Sequence, residues 1–522
     1  MIRHCLVFAA LATFAVLPAV AEEPPFSIEE ALSFPHPTGL IAAPSGDRAA
    51  WVSQQEGVRN VWVAEGPAWQ ARSLTEYAAD DGQAISDLAF TPDGSRILFV
   101  RGGRPNSQGE LPNPASNPDG VERKLLIASF DGTAPPRALA ETGAFEVFPD
   151  GERVAFIKDD QLWTTALTGP PSADKSAEEA PSEPEQAAAE TPRAGGEGTD
   201  EGLSGEETGA GEDEEEAGAR QLFEVRRGMA GFSVAPDGTR IAFVSERGDH
   251  AFVGVYDMAR ETIVWLEPSL DHDGAPAWSP DSKAVAFLRR PNEKQVLPFM
   301  PRREGLPWSI RVGDPETGNT REVFRADQGP GSAFGAGYWF VGDRLWWGAD
   351  DRIVFPWEKT GWLHLWSVSS DGGAPVDLTP GAGEVQHAEL SPDGRAMLYA
   401  SNHGDVNLRH LWQTPVVGGE PERLTRGDGI EWAPRRTAAS GTLVYLTAGA
   451  RRPAHPEAMV DAARRAFGPS VPARFPAADF VVPETMTFPA ADGMTIHGQL
   501  FAPPSRCGDG PHAGLLFFHG GS

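Results

Sequence analysis

Serine and histidine are the side chains that could carry hydrolytic chemistry in this chain, so their spacing comes first. A serine nucleophile on a sharp strand-to-helix elbow needs glycine two residues before it and two after, where a side chain would obstruct the turn. No serine in the 522-residue sequence meets both conditions. Ser522 has Gly520 two residues ahead of it and nothing behind it. His364, His387, His403 and His410 fall in different strand and loop contexts without metal-ligand spacing, so structural or surface roles are expected and no metal site or cofactor is predicted.

The elements that would position any site come from one recurring phrase. Its clearest copy is AELSPDGRAMLYAS, from Ala388 to Ser401. A strand ends at Leu390, Ser391-Pro392-Asp393-Gly394 turns the chain, and a second strand follows. Proline pre-sets φ for the turn, aspartate can bond the neighbouring backbone, and glycine accepts the conformation that closes it. Close copies are LAFTPDGSRILFV (88–100), FEVFPDGERVAFI (145–157), FSVAPDGTRIAFV (232–244) and PAWSPDSKAVAFL (276–288). Three looser ones are LIAAPSGDRAAWV near Pro44, WGADDRIVF ending at Phe355, and IEWAPRRTAASGTLVYL from Ile430. A second phrase, Leu/Val-Trp on a strand, recurs at Trp62, Trp163, Trp366 and Trp412. Eight copies spaced by about 47 residues, once an acidic insertion is set aside, predict an all-β fold, an eight-bladed β-propeller over 22–455. Repeats one to three fall at 25–167, and a longer sixth unit is expected from Pro298 to Pro380. The many Trp and Phe are expected to be blade core.

Composition sets further bounds. Residues 1–21 read as an export signal: Arg3, an apolar run from Leu6 to Val16, then Ala19-Val20-Ala21 before Glu22. That run is too short to span a membrane, no other stretch is apolar enough, and a periplasmic or secreted protein is expected. With Cys5 in the signal, Cys507 has no disulfide partner in the chain. Residues 170–218 hold 16 acidic and two basic residues and no aromatic, so a disordered loop inserted within one blade is expected. The net charge of −30 argues against nucleic acid as a partner.

Past Ala450 the pattern changes. EAMVDAARRAF (457–467) reads as a short helix in a connecting segment, 456–483. Glu484 to Pro504 reads as a hairpin turning at Ala491-Asp492-Gly493, and Ala513 to Phe518 as a strand buried on both faces. These features resemble the N-terminal part of an exported bacterial serine peptidase of the prolyl oligopeptidase family, near its dipeptidyl-peptidase IV and acylaminoacyl-peptidase branches. The repeats resemble that family's propeller, WEKTGWLHLW (357–366) resembles one of its blade phrases, and TFPAADGMTIHGQLFAPP followed by LLFFHGG resembles the start of its α/β-hydrolase domain.

The resemblance implies acyl transfer to serine behind a propeller that admits only short or unfolded peptides. It implies that His519, Gly520 and Gly521 help shape the oxyanion region. It places the elbow serine far downstream of the opening hairpin, so Ser522 is not expected to be the nucleophile, and residues 484–522 are read as an incomplete hydrolase domain. The chain alone is then expected to be inactive. The D-W-x-x-E-E amino-terminus anchor of the dipeptidyl-peptidase IV branch is absent: no Asp-Trp pair occurs, and Glu29-Glu30 lies in a predicted N-terminal helix. The alternative expectation is a non-catalytic propeller serving as a periplasmic binding scaffold.

Overall fold

The computed structural model describes residues 25–106, 108–118, 120–168, 218–292, 305–334, 344–504 and 511–518. The signal segment, nearly all of the acidic stretch and residues 519–522 lie outside them. Each of the eight phrase copies forms the first two strands of a four-stranded antiparallel unit. Among the described residues these blades occupy 36–73, 85–141, 145–223, 229–265, 272–325, 346–377, 385–423 and 430–466. Blades four and five are joined by one parallel bridge, Ala251 to His272. The Leu/Val-Trp phrases are third strands, carrying Trp62, Trp163, Trp366 and Trp412.

The turn chemistry is the same from blade to blade. Gly94, Gly151, Gly238 and Gly394 have φ of 69°, 70°, 71° and 71°, a region that a side chain strains. The Gly394 N–H closes the turn on the Ser391 carbonyl at 2.8 Å. Asp393 accepts from the Ser391 hydroxyl at 2.6 Å and from the Arg395 N–H at 3.1 Å. In the fifth copy Ser282 takes the glycine's place at φ 60°, and its hydroxyl accepts the Asp237 N–H of the preceding blade at 3.0 Å.

Each second strand carries an aromatic ring at its centre: Trp51, Phe99, Phe156, Phe243, Phe287, Phe355, Tyr399 and Tyr445, all buried. Fully burying one such side chain contributes roughly 1.5–3 kcal/mol, and packing of this kind between neighbouring sheets is the main source of cohesion. Blades one and two share one apolar cluster, two and three another, and so on round to seven and eight. The cluster that closes the series joins Trp51 and Leu40 of blade one to Val444, Leu446 and Phe467 at blade eight. Asp47 reinforces this seam by accepting from the Thr437 hydroxyl at 2.6 Å and the Ser440 N–H at 2.9 Å. The ring is therefore closed by side chains, with no strand exchanged across the seam.

The acidic stretch connects two paired strands, Gln161–Ala166 and Ala219–Phe223, the third and fourth of blade three. Three expectations are corrected. The 457–467 segment is not helical but forms strands Arg452–Val460 and Ala463–Ala466, the outer half of blade eight. The open edge of strand Leu443–Gly449 needs a partner, and pairing there overrides a weak local helix preference. The long sixth unit also divides differently. Strands Ser309–Gly313 and Thr320–Arg325 complete blade five, because Ser309–Gly313 pairs with Val285–Arg290 across the intervening loop. Finally, residues 513–518 form no strand. Among the described residues none pairs with them, and Leu515 to Phe518 are at least 83% exposed. The opening hairpin is present, as Glu484–Pro489 and Thr495–Leu500.

Candidate functional site

Of the residues singled out in the sequence, His519, Gly520, Gly521 and Ser522 lie outside the described residues. Glu30 sits in a one-turn helix, Ile28–Ala31, where its carboxylate accepts the Ser27 N–H in a capping box at 2.8 Å. The four histidines are not brought together, and among the described residues no group of His, Cys, Asp and Glu is placed to hold a metal. His403 packs edge-on against Trp412 beside a cavity of about 70 Å³.

His364 and His410 open the third strands of blades six and seven, and both are buried. Nδ1 of His364 lies 3.1 Å from Asp377, and Nδ1 of His410 lies 2.8 Å from Glu431. One residue on, the Leu365 N–H donates to the Thr379 hydroxyl at 3.0 Å and the Leu411 N–H to the Thr425 hydroxyl at 2.8 Å. Blade one repeats the device, with Val61 donating to Thr75 at 2.9 Å and Asn60 standing where the histidine would be. These polar caps tie the start of a third strand to the residues just after the fourth. Around blade eight the cap grows into a network. Buried Glu431 also meets Arg464 at 2.9 Å, and buried Glu457 accepts the Tyr445 hydroxyl at 2.9 Å. Burial alone would raise the Glu457 pKa, but bonds from His455 and Tyr445, with the Arg452 charge, bring it down to about 2.

The remaining polar residues gather on the inner strands. Apart from single parallel bridges at His272 and Ile430, the first strand of each blade pairs with the second alone, which leaves its other edge toward the axis. Six of these strands carry a register shift, and in five of them a residue within it has a left-handed φ: Gly39, Asp87, Ala275, His387 and Ala433, between 51° and 63°. Bulges of this kind re-aim side chains away from a regular ladder. Glu389 of blade seven lies 3.4 Å from Arg435 of blade eight and 3.8 Å from Arg344, which precedes blade six. Arg409 donates through Nε to Gln386 at 2.7 Å. His387 sits among them, and burial, with the Arg435 and Arg409 charges, brings its pKa down to about 4. On blade three, Glu146 accepts the Val234 N–H of blade four at 3.1 Å. Burial pushes its carboxyl up to about 7 against that bond and the Arg344 charge.

At neutral pH this wall therefore presents an uncharged imidazole, three permanent cations, the Glu389 carboxylate and the partly ionised carboxyl of Glu146. It can bind and orient an anion, and nothing in it resembles a nucleophile with its base. A signal for part of it was present in the sequence. Glu146 and Glu389 stand three residues before the turn proline, where other copies carry Ile41, Ala89, Ser233 or Ala277. Arg344 and Arg409 have no such marker, because both lie outside the phrase, whereas Arg435 stands within its eighth copy.

Residues 336–447 match the family model for the dipeptidyl peptidase IV N-terminal region. That span takes in blades six and seven and most of the first two strands of blade eight. The chain is also similar to the crystal structure of Porphyromonas gingivalis dipeptidyl peptidase 4, with 12% identity and a TM-score of 0.53 over 88% of this chain and 64% of that one. A puromycin hydrolase matches at 13% identity and a TM-score of 0.49, over 91% of this chain and 60% of that one. A puromycin-hydrolyzing peptidase of Mycobacterium tuberculosis matches at 14% identity and 0.49, over 82% and 60%. The chain thus spans less than two thirds of the length of each. At 12% identity the likeness to the Porphyromonas gingivalis structure speaks for the propeller fold alone.

Proposed function

We propose that this chain is the substrate-gating propeller portion of an exported serine-type peptidase that hydrolyses short peptides, and that by itself it is inactive. One observation carries the reading: the propeller is continuous with a hydrolase-like hairpin held against it. Asn407, in the loop before the third strand of blade seven, donates to Thr485 at 3.3 Å and accepts from Gln499 at 3.4 Å, both on the hairpin. The family match over blades six to eight and the sequence LLFFHGG support the same reading. Residues 1–21 serve as the export signal, and the mature chain begins at Glu22. Among the described residues no helix is long and apolar enough to cross a membrane.

The test has two parts. Treated with a fluorophosphonate serine probe, the 522-residue chain should remain unlabelled; labelling that Ser522→Ala abolishes would refute its inactivity. The reading frame beyond the Ser522 codon should contain G-x-S-x-G, then Asp, then His, within about 200 residues, since the triad of this fold follows that order. A stop codon followed by unrelated sequence would sink the peptidase reading and leave a stand-alone binding propeller.

A further inference from the structure

We propose that Arg344, Arg409 and Arg435 form a receptor for the free α-carboxylate of a short peptide drawn to the axis of the ring. The proposal rests on the reading above, that the propeller admits peptides, and adds which end of the peptide is held and by what. Two of the three guanidinium groups share one close carboxylate, Glu389, at 3.4 Å from Arg435 and 3.8 Å from Arg344. Charge-assisted N–H···O bonds close to about 2.7–2.9 Å, so neither arginine is committed to Glu389. Arg409 is steadied through Nε by the neutral amide of Gln386, which itself donates to Glu384 at 2.9 Å. Among the described residues Arg409 has no carboxylate within ion-pair distance. Its terminal nitrogens keep the planar fork that suits a carboxylate.

The surroundings favour a zwitterion over a simple anion. A chain of net charge −30 repels free acids at long range and attracts an amine. A short peptide brings both, its amino end drawn by the overall field and its carboxylate captured where arginines outnumber acids. His387, neutral at pH 7 through its burial, stands close enough to Arg435 and Arg409 to feel both charges. The position also fits. Arg409 follows Asn407, the residue that contacts the hairpin, by two places, so the carboxylate would be held on the hairpin's side of the ring.

The experiment is calorimetric titration of the full chain with trialanine and with trialanine amide. The free acid should bind about tenfold or more tightly than the amide, the scale of one charge-assisted hydrogen bond. Arg409→Gln and Arg435→Gln should each weaken the acid about tenfold and leave the amide unchanged, while Arg409→Lys restores part of the loss. Melting curves establish that the variants fold. Should Arg435→Gln not fold, Arg409→Gln decides the matter, since the Arg409 side chain is half-buried and its bond among the described residues is to Gln386. Equal binding of acid and amide overturns the carboxylate receptor and leaves the peptide-admitting reading standing. No binding of either peptide overturns both.

Discussion

Glu146 shows what one charged residue does when a repeat places it on an inner strand. Burial, which penalises the anion, pushes its carboxyl up from the usual 4.5 to about 7. A folded-state pKa raised above the unfolded value gives stability that is complete below about pH 4.5 and lost as pH rises through 7. Glu146→Gln removes that loss. Relative to the parent, the variant should gain about 2 kcal/mol between pH 4.5 and pH 8, after allowance for solvent screening. Melting curves across that range check it, and parallel curves for the two proteins would rule it out. At this scale the sequence was half legible. Aligning the six copies that keep the turn proline exposes Glu146 and Glu389 as charged among Ile, Ala and Ser. His387 reads as one more scattered histidine, because the bulge that turns it toward Arg435 leaves no mark in composition.

Among elements, the polar cap is the unit of order. In blade seven the Thr425 hydroxyl accepts the buried Leu411 N–H and donates to buried Glu431 at 2.9 Å. Thr425→Ala leaves the buried Leu411 N–H without a partner and takes one of two bonds from Glu431 Oε2, which keeps His410, and should cost about 1–3 kcal/mol, whereas Thr425→Ser should cost under about 1. Denaturant midpoints of the three proteins test this, and an Ala variant as stable as the Ser variant would show the cap to be idle. The phrases made the first three strands of most blades readable, since turn residues and buried aromatics are local signals. The outer strands were less so. Residues 457–467 carry a helix-compatible composition and become strand only because Leu443–Gly449 offers Arg452–Val460 an edge. The second half of blade five is not legible in its own segment, because its partner strand Val285–Arg290 lies across a loop and pairing at a distance is written in no single segment.

For the whole molecule, the decisive feature is the seam between blades one and eight. If the ring is closed as described, the buried Trp51 at the seam is as much core as Phe287 between blades four and five. Trp51→Ala and Phe287→Ala should then each cost about 3–5 kcal/mol. A loss near zero for Trp51→Ala alone, read by calorimetric melting, would mean that the ring stands open in solution. Closure itself was not legible in advance. Counting phrases suggested eight blades, but the contact of Asp47 with Thr437 spans almost the whole chain, and no periodicity announces it.

Because no strand is exchanged across that seam, every blade is one uninterrupted stretch of polypeptide. At the level of the gene, an in-frame duplication or loss of a single blade-length block of codons adds or removes a complete sheet with its turn, its aromatic and its cap. Rings of this design can therefore change circumference in one genetic event, and a ring sewn shut by a borrowed strand would need two.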